Sequence, residues 1–264
     1  MKKITVDIGN SNIVIGIYEQ KWEHIWRLPT HKKPEKFDYA LRISDMLFEN
    51  EICTKDVEYV IISSVVPEIT KDIFNFFDNF SNQTFLFDKK DFELIPHIKI
   101  DNPEEIGTDL VANAVAGYDK FKEATIIVDF GTALTFTVVD EKGSILGVNI
   151  APGIKSAINT LYEKTSQLDK VPIEFPEHPL GKNTTEAIQN GILIGYEGLI
   201  EQMLKVIENY YQKSFKIIFT GGLSHLYEKR ITFDKLDKNL TLNGLLSIGN
   251  KIYKKNNNSN MTTK

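Results

Sequence analysis

Two aspartates sit in the same short phrase 122 residues apart: Val6-Asp7-Ile8-Gly9 and Val128-Asp129-Phe130-Gly131. In each copy the carboxylate ends an apolar run and a glycine turn follows. Backbone amides in such a turn can face an anion. Asn10, Ser11 and Asn12 add neutral donors to the first turn, and Thr132 adds a hydroxyl to the second. A carboxylate beside phosphate makes sense if it holds a cation, and Mg²⁺, which usually keeps several of its waters, is the natural bridge. One copy alone is equally well a hairpin turn; the second copy turns the reading toward a pair of phosphate sites, an arrangement that suits a nucleotide.

Two further stretches could carry chemistry. Gly107-Thr108-Asp109-Leu110 opens a helix after Asn102-Pro103-Glu104-Glu105. Thr108 or Asp109 could simply cap that helix. Asp109 could instead accept a hydroxyl proton during phosphoryl transfer, which needs little more from the protein than positioning and charge. Thr220-Gly221-Gly222 follows an apolar run and is either a plain strand-to-helix turn or a place where a flat ligand lies against the backbone. The five histidines, His24, His31, His97, His178 and His225, have no metal-ligand spacing, and no Walker lysine loop, dinucleotide glycine fingerprint or zinc cluster is present.

The elements that must position these residues repeat as well. Lys3–Ile8, Ile13–Tyr18 and Trp22–Leu28 read as three strands joined by short turns, hence antiparallel neighbours. A helical pattern from Phe37 to Phe48, a buried-type strand over Val57–Val66, a helix opening at Pro67 and a strand at Thr84–Phe87 complete a βββαβαβ half. The second half offers strands at Ala124–Phe130, Ala133–Asp140 and Ser144–Ile150, helices from Ile154 and over Thr185–Tyr211, a strand at Phe215–Phe219 and a last helix near Leu242–Tyr253. A bridging helix ends at Phe121, which puts the expected domains at 1–121 and 122–254, with 255–264 a polar, disordered tail. Two such α/β halves facing each other would carry one phosphate turn on each wall of a cleft.

The 264 residues suffice for two domains, and 42% hydrophobic with 25% charged residues is ordinary for a globular protein. A net charge of −5 argues against nucleic-acid binding. The single cysteine, Cys53, cannot form a disulfide within the chain and reads as a passive thiol. Asp7 and Asn10 interrupt the apolar run behind Lys2 and Lys3, so the N-terminus reads as a strand, not a signal peptide. With no run of membrane-spanning length, the expected location is the cytoplasm.

The motifs DIGNSN, NPEEIGTD, VDFGTALTF, IAPGI, GKNTTEAIQNGILIGYEGLI and TGGL occur in this order between about residues 3 and 250. Together they resemble the type III pantothenate kinases of the actin/Hsp70/sugar-kinase superfamily. The resemblance implies two duplicated ribonuclease-H-like domains with a nucleotide cleft between them. It implies ATP-dependent phosphorylation of pantothenate to 4′-phosphopantothenate, the first step of coenzyme A biosynthesis, by a homodimer that uses Mg²⁺ and a monovalent cation, K⁺ or NH₄⁺. Residue by residue, Asp7, Ile8, Gly9, Asn10, Ser11, Asn12, Ile13 and Val14 would form the first ATP loop, with Asp7 near Mg²⁺. Thr132 would touch ATP and Asp129 would bind the monovalent cation. Asp109 would be the proton acceptor, Gly107, Thr108, Asp109 and Leu110 would flank pantothenate, and Thr184 would line its site partly across the dimer interface.

Three positions depart from the family pattern: Leu110 where an arginine is usual, Ile100 where a tyrosine is usual, and Thr137 where an aspartate is common. The first two fall on the acceptor side. An arginine that clamps a carboxylate has no apolar substitute, so Lys182 and Arg27 become candidates for that job. Two rival readings follow: a kinase for another small hydroxy acid on the same fold, and a regulatory protein that binds ATP without turnover.

Overall fold

The computed structural model describes residues 1–31, 38–95, 97–163 and 171–261. The chain divides into two compact units, one of residues 1–116 with 240–264 and one of residues 117–239.

In the first unit, β1 (Lys2–Ile8), β2 (Asn12–Tyr18), β3 (Trp22–Pro29), α1 (Tyr39–Glu49), β4 (Val57–Ser64), α2 (Pro67–Phe80) and β5 (Thr84–Leu86) follow one another. The strands form a sheet of order β3-β2-β1-β4-β5, antiparallel among the first three and parallel from β1 through β5. Alternation sends Ile4, Val6 and Ile8 to the same face as Ile13, Ile15 and Ile17, where α1 covers them with Tyr39, Ile43 and Leu47 and α2 with Ile69, Ile73 and Phe77. The opposite face belongs to α3 (Thr108–Phe121), whose first nine residues lie in this unit, and to α6 (Leu240–Met261). Glycines let α6 come close: a Cβ at Gly244 would collide with the Ala112 carbonyl, and one at Gly249 would lie 2.7 Å from the Tyr59 ring. Asn243 accepts from Trp22 Nε1 at 2.9 Å and Asn250 accepts from the Tyr59 hydroxyl at 3.0 Å.

The second unit repeats the plan with β6 (Thr125–Phe130), β7 (Ala133–Val139), β8 (Ile145–Pro152), α4 (Ile154–Glu163), α5 (Thr184–Tyr211), β9 (Lys216–Thr220) and β10 (Lys235–Leu236). Its sheet order is β10-β9-β6-β7-β8, with the same parallel and antiparallel neighbours. Ile126, Val128, Phe130, Leu134 and Phe136 form one buried face under α4 and α5. Among the described residues no helix is long and apolar enough to cross a membrane.

Three features differ from the sequence reading. The unit boundary falls inside α3, after Ala116, not at Phe121, and α6 packs on the first sheet although it follows the second in the chain. Both depend on long-range packing at positions such as Gly244, which local periodicity does not report. The last helix continues to Met261, past Tyr253, so the polar stretch expected to be a tail is helical as far as it is described. Residues 262–264 and Phe37, the expected start of the α1 pattern, lie outside the described residues; α1 instead opens at Tyr39, with the Asp38 carboxylate accepting from the Leu41 amide at 2.9 Å. The two-residue β10 carries too little pattern to be anticipated.

Candidate active site

Asp7 is the last residue but one of β1 and stands opposite Val14 on β2 and Ser63 on β4; Val14 in turn stands opposite Arg27 on β3. Paired residues share a sheet face, so Arg27, Val14, Asp7 and Ser63 form one row on the face opposite the Ile4–Ile8 core. Ser63 is fully buried, and its hydroxyl lies 2.8 Å from that of Thr108 at the start of α3. The neighbouring Asp109 is therefore held at the same end of the unit as Asp7. The first loop, Gly107-Thr108-Asp109-Leu110 and the ends of β1 and β4 converge.

The roles inside that group are now separable. The Thr108 hydroxyl pairs with that of Ser63. The Asp109 carboxylate accepts from the Leu110 amide at 2.9 Å. Burial raises the pKa of Asp109 above the ordinary carboxylate value, against the lowering effect of that amide. A carboxylate shifted this way is a stronger base, as a proton acceptor requires. A Cβ at Gly107 would run into the Asp109 carboxylate, so glycine there makes room for the acid. Leu110 and Ile100 are both half-buried.

The first turn is tighter than an anion nest alone would need. Gly9 donates its amide to the Asn12 carbonyl at 3.0 Å, and Thr30 braces the turn through its hydroxyl to the Gly9 carbonyl at 2.7 Å and its amide to the Ser11 carbonyl at 3.0 Å. The Gly9 amide is thus spent on the turn itself. Gly9 does not have positive φ either; glycine is needed because a Cβ would crowd the Asn12 carbonyl at 3.2 Å. Asn10, Ser11 and Asn12 are exposed, whereas Ile8 and Ile13 are fully buried and Val14 nearly so. The side chains of these three apolar residues hold the loop in place and are not available to a ligand.

The second turn is built alike. Gly131 donates to the Ala133 carbonyl at 3.1 Å. The Thr132 carbonyl accepts from the Gly153 amide at 3.0 Å and from the Ser156 hydroxyl at 2.8 Å, so the first turn of α4 supports it. Asp129 stands opposite Thr135 on β7 and Thr220 on β9. Both hydroxyls are on the Asp129 face, both residues are buried, and the Thr135 hydroxyl has no hydrogen-bond partner among the described residues. Gly221, with φ of +86°, brings the next turn against Asp129; a Cβ there would sit 2.5 Å from the carboxylate. Thr220-Gly221-Gly222 is therefore a strand-to-helix turn whose first glycine is demanded by the acid. Ser63, Thr135 and Thr220 were not singled out from sequence, because only register puts them beside Asp7 and Asp129.

Thr184 stands apart within its unit. It is the exposed first residue of α5, behind the Asn183 cap, which accepts from the Glu186 amide at 2.9 Å. Tyr196 of the same helix donates to the Pro152 carbonyl at 2.6 Å, next to Gly153. Twelve helical residues separate the two, so Thr184 lies about 18 Å along the axis from the part of α5 that meets the second loop. Beside Thr184 runs an open groove lined by Pro179, Leu180, Ala187, Gly191, Ile194 and Gly195, with Leu180 78% exposed.

Among the described residues no group of three histidine, cysteine or acidic side chains could hold a metal unaided. Asp7 and Asp129 are single carboxylates among neutral oxygens.

A family model for type III pantothenate kinase matches residues 3–206. The type III pantothenate kinase of Citrifermentans bemidjiense is 38% identical over 250 residues, covering 92% of this chain and 96% of that one. A Campylobacter jejuni structure assigned to the Baf family of transcriptional activators superposes with a TM-score of 0.60 at 19% identity, covering 97% of this chain and 99% of its own. MreB5 of Spiroplasma citri, solved with ADP, gives 0.54 at 10% identity, with 97% and 98% covered. These two likenesses show the fold, which is that of the actin-like and sugar-kinase proteins. The chain belongs to the type III pantothenate kinase family and is a kinase that uses ATP to phosphorylate pantothenate in coenzyme A biosynthesis.

Proposed function

We propose that Asp109 is the proton acceptor and that the turns after Asp7 and Asp129 are the two phosphate loops. The observation that carries this is the link Asp7–Ser63–Thr108–Asp109, which joins the first loop to an acid whose pKa burial raises. The acceptor's primary hydroxyl oxygen attacks the γ-phosphorus in line, the bond to the β,γ-bridging oxygen breaks, ADP leaves, and the hydroxyl proton passes to Asp109. Gly107, Thr108 and Leu110 flank the acceptor. Asn10, Ser11, Asn12 and Thr132, all exposed, meet the nucleotide, and the buried Ile8, Ile13 and Val14 fix the first turn. The test is a coupled ADP-release assay with pantothenate: Asp109→Ala should keep ATP binding and lose most turnover, and parental turnover in that variant would refute the role.

Two cations fit the residues present. Asp7, a single carboxylate on the open row, would hold Mg²⁺ partly through water. Asp129 with the buried Thr220 hydroxyl and the orphaned Thr135 hydroxyl makes an all-oxygen donor set suited to a hard monovalent ion, K⁺ or NH₄⁺. Both ions would neutralise triphosphate charge. The protein works as a homodimer in the cytoplasm. Thr184 is remote from the second loop of its own unit, and the open groove with its exposed Leu180 runs beside it; both support a partner subunit meeting α5 there and sharing Thr184.

A further inference from the structure

The row that contains Asp7 ends in an arginine, Arg27. Arg27 is exposed, with no hydrogen-bond or ion-pair partner among the described residues. Register places it opposite Val14, which is itself opposite Asp7. Two strand spacings separate Arg27 from Asp7, about 10 Å between Cα atoms. An arginine long enough to reach across the row stands on one side of the buried Val14 and a short carboxylate on the other. The next row toward the loop is Asn12 and Pro29, and Thr30 is hydrogen-bonded to both the Gly9 and Ser11 carbonyls. Arg27 therefore rides on the segment that braces the first turn. The other cation on this face of β1 to β3, Lys3, is two rows away and already engaged, with Glu58 at 3.6 Å and Asn250 at 2.7 Å.

We propose that Arg27 is a donor-binding residue that grips the terminal phosphate groups of ATP from the β3 side, opposite Asp7. This deepens the assignment of the first turn as a phosphate loop and rests on it. The chemistry favours the donor over the acceptor. A metal-binding carboxylate and an exposed guanidinium on one row of one sheet face are complementary to a metal–phosphate group, since arginine's planar fork matches phosphate oxygens. The acceptor residues around Asp109 lie toward β4, at the other end of the row from Arg27. The cation missing at Leu110 is thus not replaced by Arg27.

The test uses full-length Arg27→Gln and Arg27→Lys. Mg·ATP binding is measured by calorimetry without acceptor, and turnover is measured against both substrates. Arg27→Gln should weaken Mg·ATP binding, or lower kcat/KM for ATP, by roughly tenfold or more. KM for pantothenate should stay within about twofold, and Tm should be unchanged because the side chain is exposed. Arg27→Lys should recover part of the loss, and so should guanidinium ion added to Arg27→Gln. Unaltered ATP binding and ATP kinetics in Arg27→Gln would overturn the proposal. So would a rise in KM confined to pantothenate, which would put Arg27 on the acceptor carboxylate. A fall in Tm accounting for the whole loss, without rescue by lysine, would also overturn it by making Arg27 structural. Because ATP binding is read without acceptor, failure of the assigned turnover would appear separately, as a parent protein that binds ATP and leaves pantothenate unphosphorylated.

Discussion

Among the described residues two buried threonine hydroxyls lack hydrogen-bond partners, Thr5 on β1 and Thr135 on β7, and they should respond differently to the same mutation. An unsatisfied buried hydroxyl costs about 1–3 kcal/mol, and valine keeps the shape while removing the group. At the chain's size each kcal/mol is worth roughly 2–4 °C in Tm. Thr5→Val and Thr135→Val should therefore both raise Tm in K⁺-free buffer by at least about 2 °C. Thr5 lies two residues before Asp7 under Gly16, whose Cβ position is 2.9 Å from the Thr5 hydroxyl, and has no proposed ligand. Thr135 is beside Asp129. If its hydroxyl is a cation ligand, Thr135→Val should raise the half-activating K⁺ concentration roughly tenfold, the equivalent of about 1.4 kcal/mol. Thr5→Val should leave that concentration unchanged. The measurement is ADP release across a K⁺ titration, with choline chloride holding ionic strength constant. Unchanged K⁺ activation in Thr135→Val would refute the donor set, and a lower Tm in Thr5→Val would refute the premise that the hydroxyl is orphaned.

Asp109→Asn should lower kcat by roughly 10²–10⁴-fold. Its melting temperature should exceed the parent's at neutral pH, because the raised pKa means the folded state disfavours the charged carboxylate; the gap should close as pH falls toward the unfolded carboxylate value. In the parent, kcat/KM should fall as pH drops through that elevated pKa. Gly221→Ala combines a left-handed backbone with a Cβ 2.5 Å from the Asp129 carboxylate, so it should destabilise by about 2–4 kcal/mol and blunt K⁺ activation; a melt within 1 °C of the parent (against the several degrees implied) would contradict the packing. Ile194→Asp, on the exposed α5 groove, should halve the mass measured by light scattering; a dimer that persists would move the interface elsewhere.

What could be read from sequence was what local pattern encodes. The 122-residue offset between Asp7 and Asp129 exposed the duplication, and alternation in Ile4–Ile8 and Ile13–Ile17 fixed the antiparallel hairpin and its buried face. The helix carrying Asp109 was equally legible. The side of the sheet that α6 covers was not, because it depends on the fit of Gly244 against Ala112 across more than a hundred intervening residues. Nor was the role of Gly9 legible. Its amide and its missing Cβ are both accounted for by the Asn12 carbonyl, a tertiary contact within a turn that composition cannot distinguish from positive φ.

The duplicated register also explains how one architecture serves two charge problems. In each unit the acid at the end of the central strand has one neighbour on the antiparallel hairpin and one on the parallel strand beyond. Around Asp7 those positions hold Val14, with Arg27 one strand further, and Ser63, which leads to Thr108 and Asp109. Around Asp129 they hold Thr135 and Thr220, with Ile150 one strand further. Backbone geometry is conserved between the copies while the row has diverged. In the first the aspartate lies between Arg27 and the segment that leads to Asp109; in the second it is flanked by neutral hydroxyls and an apolar end. A carboxylate with a guanidinium nearby is suited to a metal–phosphate group that must come and go, whereas one flanked by buried hydroxyls is suited to a resident ion. Exchanging the rows, with Thr135→Val and Val14→Thr in one protein, should therefore weaken K⁺ activation without creating it at Asp7, because the first row would still end in Arg27.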